Sequence, residues 1–178
     1  MSRTLRLFVA AYPPRDVAER WLAAAGECLP PDVRLVEPDQ VHLTLVFLGD
    51  RDERELPAIR ESIAKSVTGF GSIALRPIEL IMLPERGVPR LIAASITLPR
   101  PLAEIQRRLA QRLARDRNQR TEFLPHLTLA RFPGKPVERT NRTFEDEEFA
   151  ISEIRLMRSH LLAAGAVHEL DKAFPLQP

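Results

Sequence analysis

One four-residue block occurs twice in this chain, as His42-Leu43-Thr44-Leu45 and as His126-Leu127-Thr128-Leu129, 84 positions apart in 178 residues. Imidazole exchanges a proton near neutral pH, and a threonine hydroxyl donates a hydrogen bond, so two copies supply an acid, a base and two donors. In a strand, side chains alternate between faces. His42 and Thr44 therefore share one face, with Leu43, Leu45 and Phe47 on the other, and His126 and Thr128 are set against Leu127 and Leu129 in the same way. Two such strands related by a two-fold would bring both imidazoles and both hydroxyls into one cleft, and such a site needs no metal. In-line attack at phosphorus requires a base beside the entering water and an acid beside the departing oxygen. Hydroxyl donors to the non-bridging oxygens are worth about 2–4 kcal/mol each. A lone His-x-Thr would be a weak signal, because a strand histidine is more often structural. Two identical copies in matching contexts shift the balance to catalysis.

Those blocks need strands and helices to carry them. Residues 4–11 alternate as a strand that ends at Pro13-Pro14. Val17, Trp21, Ala24 and Cys28 recur at helical spacing over about 15–28, and Pro30-Pro31 stops that helix. The first motif lies in a strand over about 41–48 ending at Gly49. Asp52 and Glu55 form a capping box before a helix with Leu56, Ile59, Ile63 and Val67 on its apolar stripe. Strands are expected over 73–83 and 91–98, separated by a loop at 84–89. Pro101 opens a third helix whose stripe is Leu102, Ile105, Leu109 and Leu113. The second motif lies in a strand over about 122–132, followed by a loop through Pro133, Gly134 and Pro136. Strands near 143–150 and 153–163, a turn at Ala164-Gly165 and a last strand from Val167 complete the chain. Helix-then-strand occurring twice predicts an internally duplicated α+β fold, one domain over residues 1–178.

Composition narrows the chemistry further. A chain of 20.2 kDa with 44% hydrophobic and 28% charged residues has the balance of a globular domain. The single cysteine, Cys28, excludes an internal disulfide framework and a multi-thiolate zinc site. His160 and His168 near the C-terminal turn lack metal-ligand spacing and are expected to be structural. No Walker A sequence and no Lys-x-x-Gly motif is present, so an ATP-driven ligase is not expected and no cofactor is implied. The opening residues read as a strand and not a signal peptide, since Arg6 interrupts the apolar run and Pro13-Pro14 ends it. A cytoplasmic monomer without membrane attachment is the expectation. Net charge is +2, yet residues 100–142 hold 11 basic against 4 acidic side chains. That local excess reads equally as a solvated helix face or as an attraction for phosphate-bearing ligands, the second favouring a longer polyanion. The acidic run Glu145 to Glu148 reads as a solvated edge.

At these residues the chain resembles the 2H phosphoesterases, a superfamily marked by two His-x-Thr-x motifs. The closer likeness is to its RNA 2′,3′-cyclic phosphodiesterases, also called 2′-5′ RNA ligases. Arg6-Leu7-Phe8-Val9-Ala10 resembles the opening strand of that branch. His42 to Gly49 and Phe123 to Arg131 resemble its motif segments, Pro89-Arg90-Leu91-Ile92 its central strand and Phe174-Pro175-Leu176 its ending. The resemblance implies a bilobal fold with two antiparallel sheets flanking a central cleft and helices outside. It implies hydrolysis of RNA or nucleoside 2′,3′-cyclic phosphate ends to 2′-phosphates, and reverse 2′-5′ ligation. By motif position, His42 would be the proton donor and His126 the proton acceptor, with Thr44, Thr128 and Arg131 holding the phosphate. Simple alternation puts Arg131 on the face opposite His126, a conflict that its long side chain, a bulge or the end of the strand would remove.

The chain also departs from that pattern. Leu83-Pro84-Glu85-Arg86-Gly87-Val88 lacks a glycine-rich aromatic segment, Ala93 or Ala94 stands at a tryptophan position, and His168 stands where the family tends to have tyrosine. Phe8, Tyr12 and Phe123 are candidates to stack on a base, although core packing is the more general use of such residues. Two other functions fit the motifs. One is an RNA-end-binding module without turnover; the other is a 2H enzyme acting on a small cyclic nucleotide such as ADP-ribose 1″,2″-cyclic phosphate.

Overall fold

A computed structural model describes residues 3–113, 123–132, 137–139, 142–143, 148–162 and 165–178. In chain order it contains β1 (Thr4–Ala11), α1 (Arg15–Glu27), a 3-10 turn (Pro38–Gln40), β2 (Leu43–Asp52), a second 3-10 turn (Glu53–Glu55) and α2 (Leu56–Val67). Then follow β3 (Ile73–Leu75), β4 (Pro77–Leu83), β5 (Leu91–Ile96), α3 (Arg100–Leu113) and β6 (His126–Arg131). The last strands are β7 (Arg142–Thr143), β8 (Phe149–Ile151), β9 (Glu153–Leu162) and β10 (Gly165–Pro175).

The sheet runs β10-β9-β1-β2-β6-β5-β4-β7, and β3 pairs with β8 separately. It is two four-stranded antiparallel halves joined where β2 meets β6, with Leu43 opposite Leu127. The α+β architecture is as expected, and the two expected sheets are continuous through this seam. One face is apolar because alternation sends Leu5, Leu7, Val9 and Ala11 of β1 into the same core as Leu43, Leu127 and the helical stripes. Val17, Trp21 and Ala24 of α1 and Leu102, Ile105, Leu109 and Leu113 of α3 fill that core. The opposite face is left open by all three helices. Among the described residues no helix is long and apolar enough to cross a membrane.

The helices are exchanged between halves. α1 links β1 to β2 yet packs beneath β5 and β6, whereas α3 links β5 to β6 yet packs beneath β2 and against α2. The duplication also reaches into the neighbouring strands. Phe8-Val9-Ala10-Ala11 in β1 and Leu91-Ile92-Ala93-Ala94 in β5 are 83 positions apart, and Ala10 faces Thr44 as Ala93 faces Thr128.

Bulges account for most departures from simple alternation. In β2, Leu45 and Leu48 have no partner in β1, and in β6, Leu129 has none in β5. An unpaired residue reverses the alternation beyond it. Phe47, expected beside Leu43 and Leu45, therefore lies 46% exposed on the open face. Gly49 does not end the strand: it takes φ 69°, and β2 continues to Asp52. The strand expected over 73–83 divides at Arg76, whose N–H and C=O both bond to Thr97, so β3 and β4 enter different sheets. The strand expected over 143–150 is likewise two, β7 and β8, with 144–147 outside the described residues. Residues 133–136 and 163–164, where loop and turn were expected, also lie outside them, and β10 starts at Gly165.

Two buried charges fasten these elements. The capping box at Asp52 and Glu55 forms as expected. Arg51, 7% exposed, donates to the Leu113 carbonyl at 2.6 Å and the Leu48 carbonyl at 3.0 Å while pairing with Glu55. It satisfies a carbonyl at the end of α3 and holds that helix under β2. Asp171, the unpaired residue of a bulge in β10, receives Arg60 from α2 and Arg158 from β9. Burial opposes its ionisation, but the hydrogen bonds to Arg60 and Arg158 outweigh it and hold the carboxyl below its ordinary pKa.

Candidate active site

The single pair at the seam determines the arrangement. With Leu43 facing Leu127 in an antiparallel ladder, His42 falls opposite Thr128 and Thr44 opposite His126, all four on the open face. Ala10 and Ala93, buried and small, flank the two threonines on the outer strands. The sequence expectation that two imidazoles and two hydroxyls share one cleft agrees with this register.

Each histidine is held in the same way. His42 Nδ1–H donates to the Gln40 carbonyl at 2.7 Å, and His126 Nδ1–H donates to the Leu124 carbonyl at 2.8 Å. A carbonyl can only accept, so both rings carry their proton on Nδ1 when neutral. Among the described residues Nε2 has no hydrogen-bond partner in either ring, which leaves it to take or give a proton.

Arg131 joins them because of the bulge. Leu129 and Ala130 are both buried, so Arg131 returns to the exposed side and pairs across with Leu91. Residues 42–48 and 126–132 repeat the same order of half-buried, buried and exposed positions, and Arg131 is thereby the counterpart of Phe47. The charge of Arg131 reaches both His42 and His168. Among the described residues, the other arginines of the basic stretch do not line the cleft in the same way. α3 lies behind the sheet, where Arg107 and Arg108 bind Glu104, and residues 114–122 lie outside those described. Arg139 donates to the carbonyls of Met82, Pro84 and Gly87, closing the loop beyond β4. The polyanion argument from composition thus loses the support of α3.

Around His42 the sequence reading missed an enclosure. Phe8 of β1 and Tyr12, four residues further on and just past that strand, place their rings 5.0 and 5.5 Å from that of His42, and His168 meets it edge-on at 4.8 Å. Arg155 of β9 covers Tyr12 at 4.8 Å. Burial is the largest influence on His42 and pushes its pKa from 6.5 down to about 4. The bond to the Gln40 carbonyl works the other way; the charges of His168, Arg131 and His126 add to burial. Burial likewise raises the Tyr12 phenol from 10.0 to about 12, against the lowering effect of Arg155. The sequence offered Phe8 and Tyr12 only as candidates to stack on a base, because it does not show which strand lies beside them. His160, by contrast, is paired with Glu169 at 2.9 Å. Among the described residues no group of three His, Cys, Asp or Glu side chains is arranged to hold a metal ion.

The family model of the 2′-5′ RNA ligase superfamily matches residues 13–161. An RNA 2′,3′-cyclic phosphodiesterase of Thermus thermophilus is 30% identical over 97% of this chain and 91% of its own length. One of Methanothermobacter thermautotrophicus is 27% identical over 81% and 83%. A Thermus thermophilus crystal structure aligns over 97% of this chain and 98% of its own with a TM-score of 0.83 and 28% identity. Escherichia coli LigT complexed with 3′-AMP aligns over 99% and 100% with a TM-score of 0.84 at 23% identity, a likeness of fold. With the model covering both motif strands and the relatives spanning nearly the whole chain, this protein belongs to the 2′-5′ RNA ligase superfamily.

Proposed function

We propose that the chain is an RNA 2′,3′-cyclic phosphodiesterase that opens a cyclic phosphate to a 2′-phosphate. The observation that carries this is the seam: two imidazoles, each with a free Nε2, beside two hydroxyls on one face of adjoining strands. The names of the curated relatives support the same activity. Both halves contribute to the one cleft, so residues 1–178 act as a single catalytic unit, and the cytoplasm is its proposed setting.

In the proposed reaction the phosphate lies over Leu43 and Leu127, held by Thr44, Thr128 and Arg131. His126 removes a proton from the attacking water as that oxygen bonds to phosphorus. His42 delivers a proton to the 3′ oxygen as its bond to phosphorus breaks, leaving the phosphate on the 2′ oxygen. In the free protein His42 is neutral, and an acid must begin protonated. A phosphodiester anion supplies the missing negative charge: it offsets Arg131, His126 and His168 and raises the proton affinity of His42 when the substrate is seated. Phe47, exposed on the same face with the Arg6 guanidinium 4.9 Å from its ring centre, offers an aromatic surface for a base.

The test is conversion of a short oligonucleotide with a 2′,3′-cyclic phosphate end in EDTA, with product identity read by mass. The expected product is the 2′-phosphate. His42→Ala and His126→Ala should each lower kcat by about 10²–10⁴ with the fold intact by circular dichroism. Residual activity should rise with pH in His42→Ala, where only a base remains, and fall with pH in His126→Ala. Full activity in both variants would refute the mechanism. Exchange of the two pH limbs would reverse the roles of the histidines.

A further inference from the structure

His168 is the histidine whose ring has no assigned work. It lies on β10 opposite Ser159, with Leu170 opposite Met157 and Met157 opposite Phe8, which brings its ring to the open face. There it stands 4.7 Å from Phe8 and 4.8 Å from His42, edge-on to both. Its position is fixed by the backbone: its N–H donates to Gln40 Oε1 at 2.9 Å, and the carbonyl of that same Gln40 holds His42. The ring is not fixed in that way. His42 and His126 bond to carbonyls and His160 to a carboxylate, whereas Nδ1 of His168 is buried without a partner among the described residues. A buried polar atom left unbonded costs stability and calls for a reason.

The charges around it supply one. The charge of Arg131 on β6 reaches it, and the ring of His42 on β2 stands against it; His126 of β6 in turn acts on His42. Glu169, the carboxylate beside it on β10, is engaged by His160. Neither His42 nor His168 feels a carboxylate among the influences that shape its proton affinity. Burial and Arg131 hold His168 below its ordinary pKa in the free protein. His168, His42, Arg131 and His126 are thus linked neighbours with no carboxylate acting on either of the first two among the described residues, and an anion placed there is the group that would balance them.

We propose that His168, when protonated, is a further contact for the anionic phosphate in this cleft, giving the chain an affinity for oxyanions that grows on acidification. This rests on the phosphodiesterase reading for its substrate but not for its test. A tyrosine at the same place would supply no charge over that range.

Sulfate is the probe, because it stays a dianion from pH 5 to 8 and isolates the titration of the protein. Calorimetric titration of the full chain should show wild type and His168→Tyr binding equally at pH 8. At pH 5, His168→Tyr should bind about fivefold more weakly. His168→Lys, charged throughout, should bind sulfate at pH 8 about fivefold more tightly than wild type does at that pH. With cyclic-phosphate substrate near pH 5.5, His168→Tyr should raise KM about as much, with kcat within about twofold of wild type. A His168→Tyr protein that follows wild type at every pH overturns the proposal. So does a His168→Lys protein with no gain at pH 8, which keeps the test decisive if the tyrosine variant misfolds. Sulfate binding with this pattern but no turnover would sink the phosphodiesterase reading and leave this inference standing.

Discussion

The two copies of the motif share a backbone path and differ in what surrounds them. Both place a histidine two residues after the carbonyl that holds its Nδ1–H. Both keep a threonine beside a buried alanine, and both bulge one residue beyond that threonine. The equivalent neighbours have diverged: Phe8 against Leu91, Tyr12 against Ser95, Phe47 against Arg131 and Gln40 against Leu124. His42 is consequently enclosed by rings, while His126 has Ser95 opposite it. Duplication creates a matched pair, and substitution around one member makes the pair unequal. An acid and a base need that inequality, and identical motifs cannot provide it.

The threonines test the shared half of this comparison, with the largest expected effect among the variants outside the histidines. Thr44→Val and Thr128→Val keep shape and remove one donor. Each should lower kcat by about 10²-fold, with the two losses agreeing within about threefold if the phosphate sits on the pseudo-two-fold. Steady-state kinetics on a cyclic-phosphate oligonucleotide would measure this. A full loss in one variant and none in the other would mean that the substrate lies on one half.

The repeated motif made the shared half readable in the sequence: its letters state the residue types, and period-two alternation states their common face. Helices α1, α2 and α3 were legible because their stripes recur at helical spacing and Asp52 with Glu55 caps the second. Alternation failed at Leu45, Leu48 and Leu129, because a bulge depends on which residue the partner strand leaves unpaired. That one feature misplaced Phe47 and set Arg131 on the wrong face. The enclosure of His42 was hidden for a related reason. Phe8, Tyr12 and His168 come from the two ends of the chain, and only the order β10-β9-β1-β2 brings them together.

The differing half is tested by giving the first copy the second copy's residue. Tyr12→Ser opens one side of the enclosure to water and weakens the desolvation that keeps His42 neutral. The His42 pKa, read by NMR titration of its ring signals, should rise from about 4 by about one unit or more toward its ordinary 6.5. A histidine held below its unfolded value destabilises the fold as pH drops from 6.5 toward about 4, because the unfolded chain takes the proton first. Tyr12→Ser should narrow that acid-side loss even though it removes packing at neutral pH. An unchanged His42 titration would mean that Tyr12 does not control its hydration.

The smallest effect is expected at Gln40, where backbone and side chain have separate tasks. The carbonyl of residue 40 receives the His42 Nδ1–H whatever side chain is present, as the Leu124 carbonyl does for His126. The Gln40 amide oxygen instead ties β10 to the first motif through the His168 N–H. Gln40→Leu, again the second copy's residue, should cost about 1 kcal/mol by chemical denaturation, since it leaves one half-buried donor unpaired. It should change kcat by less than about threefold, because the tautomer of His42 is set by the main chain. A loss of kcat as large as that of the threonine variants would show that the side chain, through β10, sets the position of the imidazole. The two copies would then differ in how they hold their histidines as well as in what surrounds them.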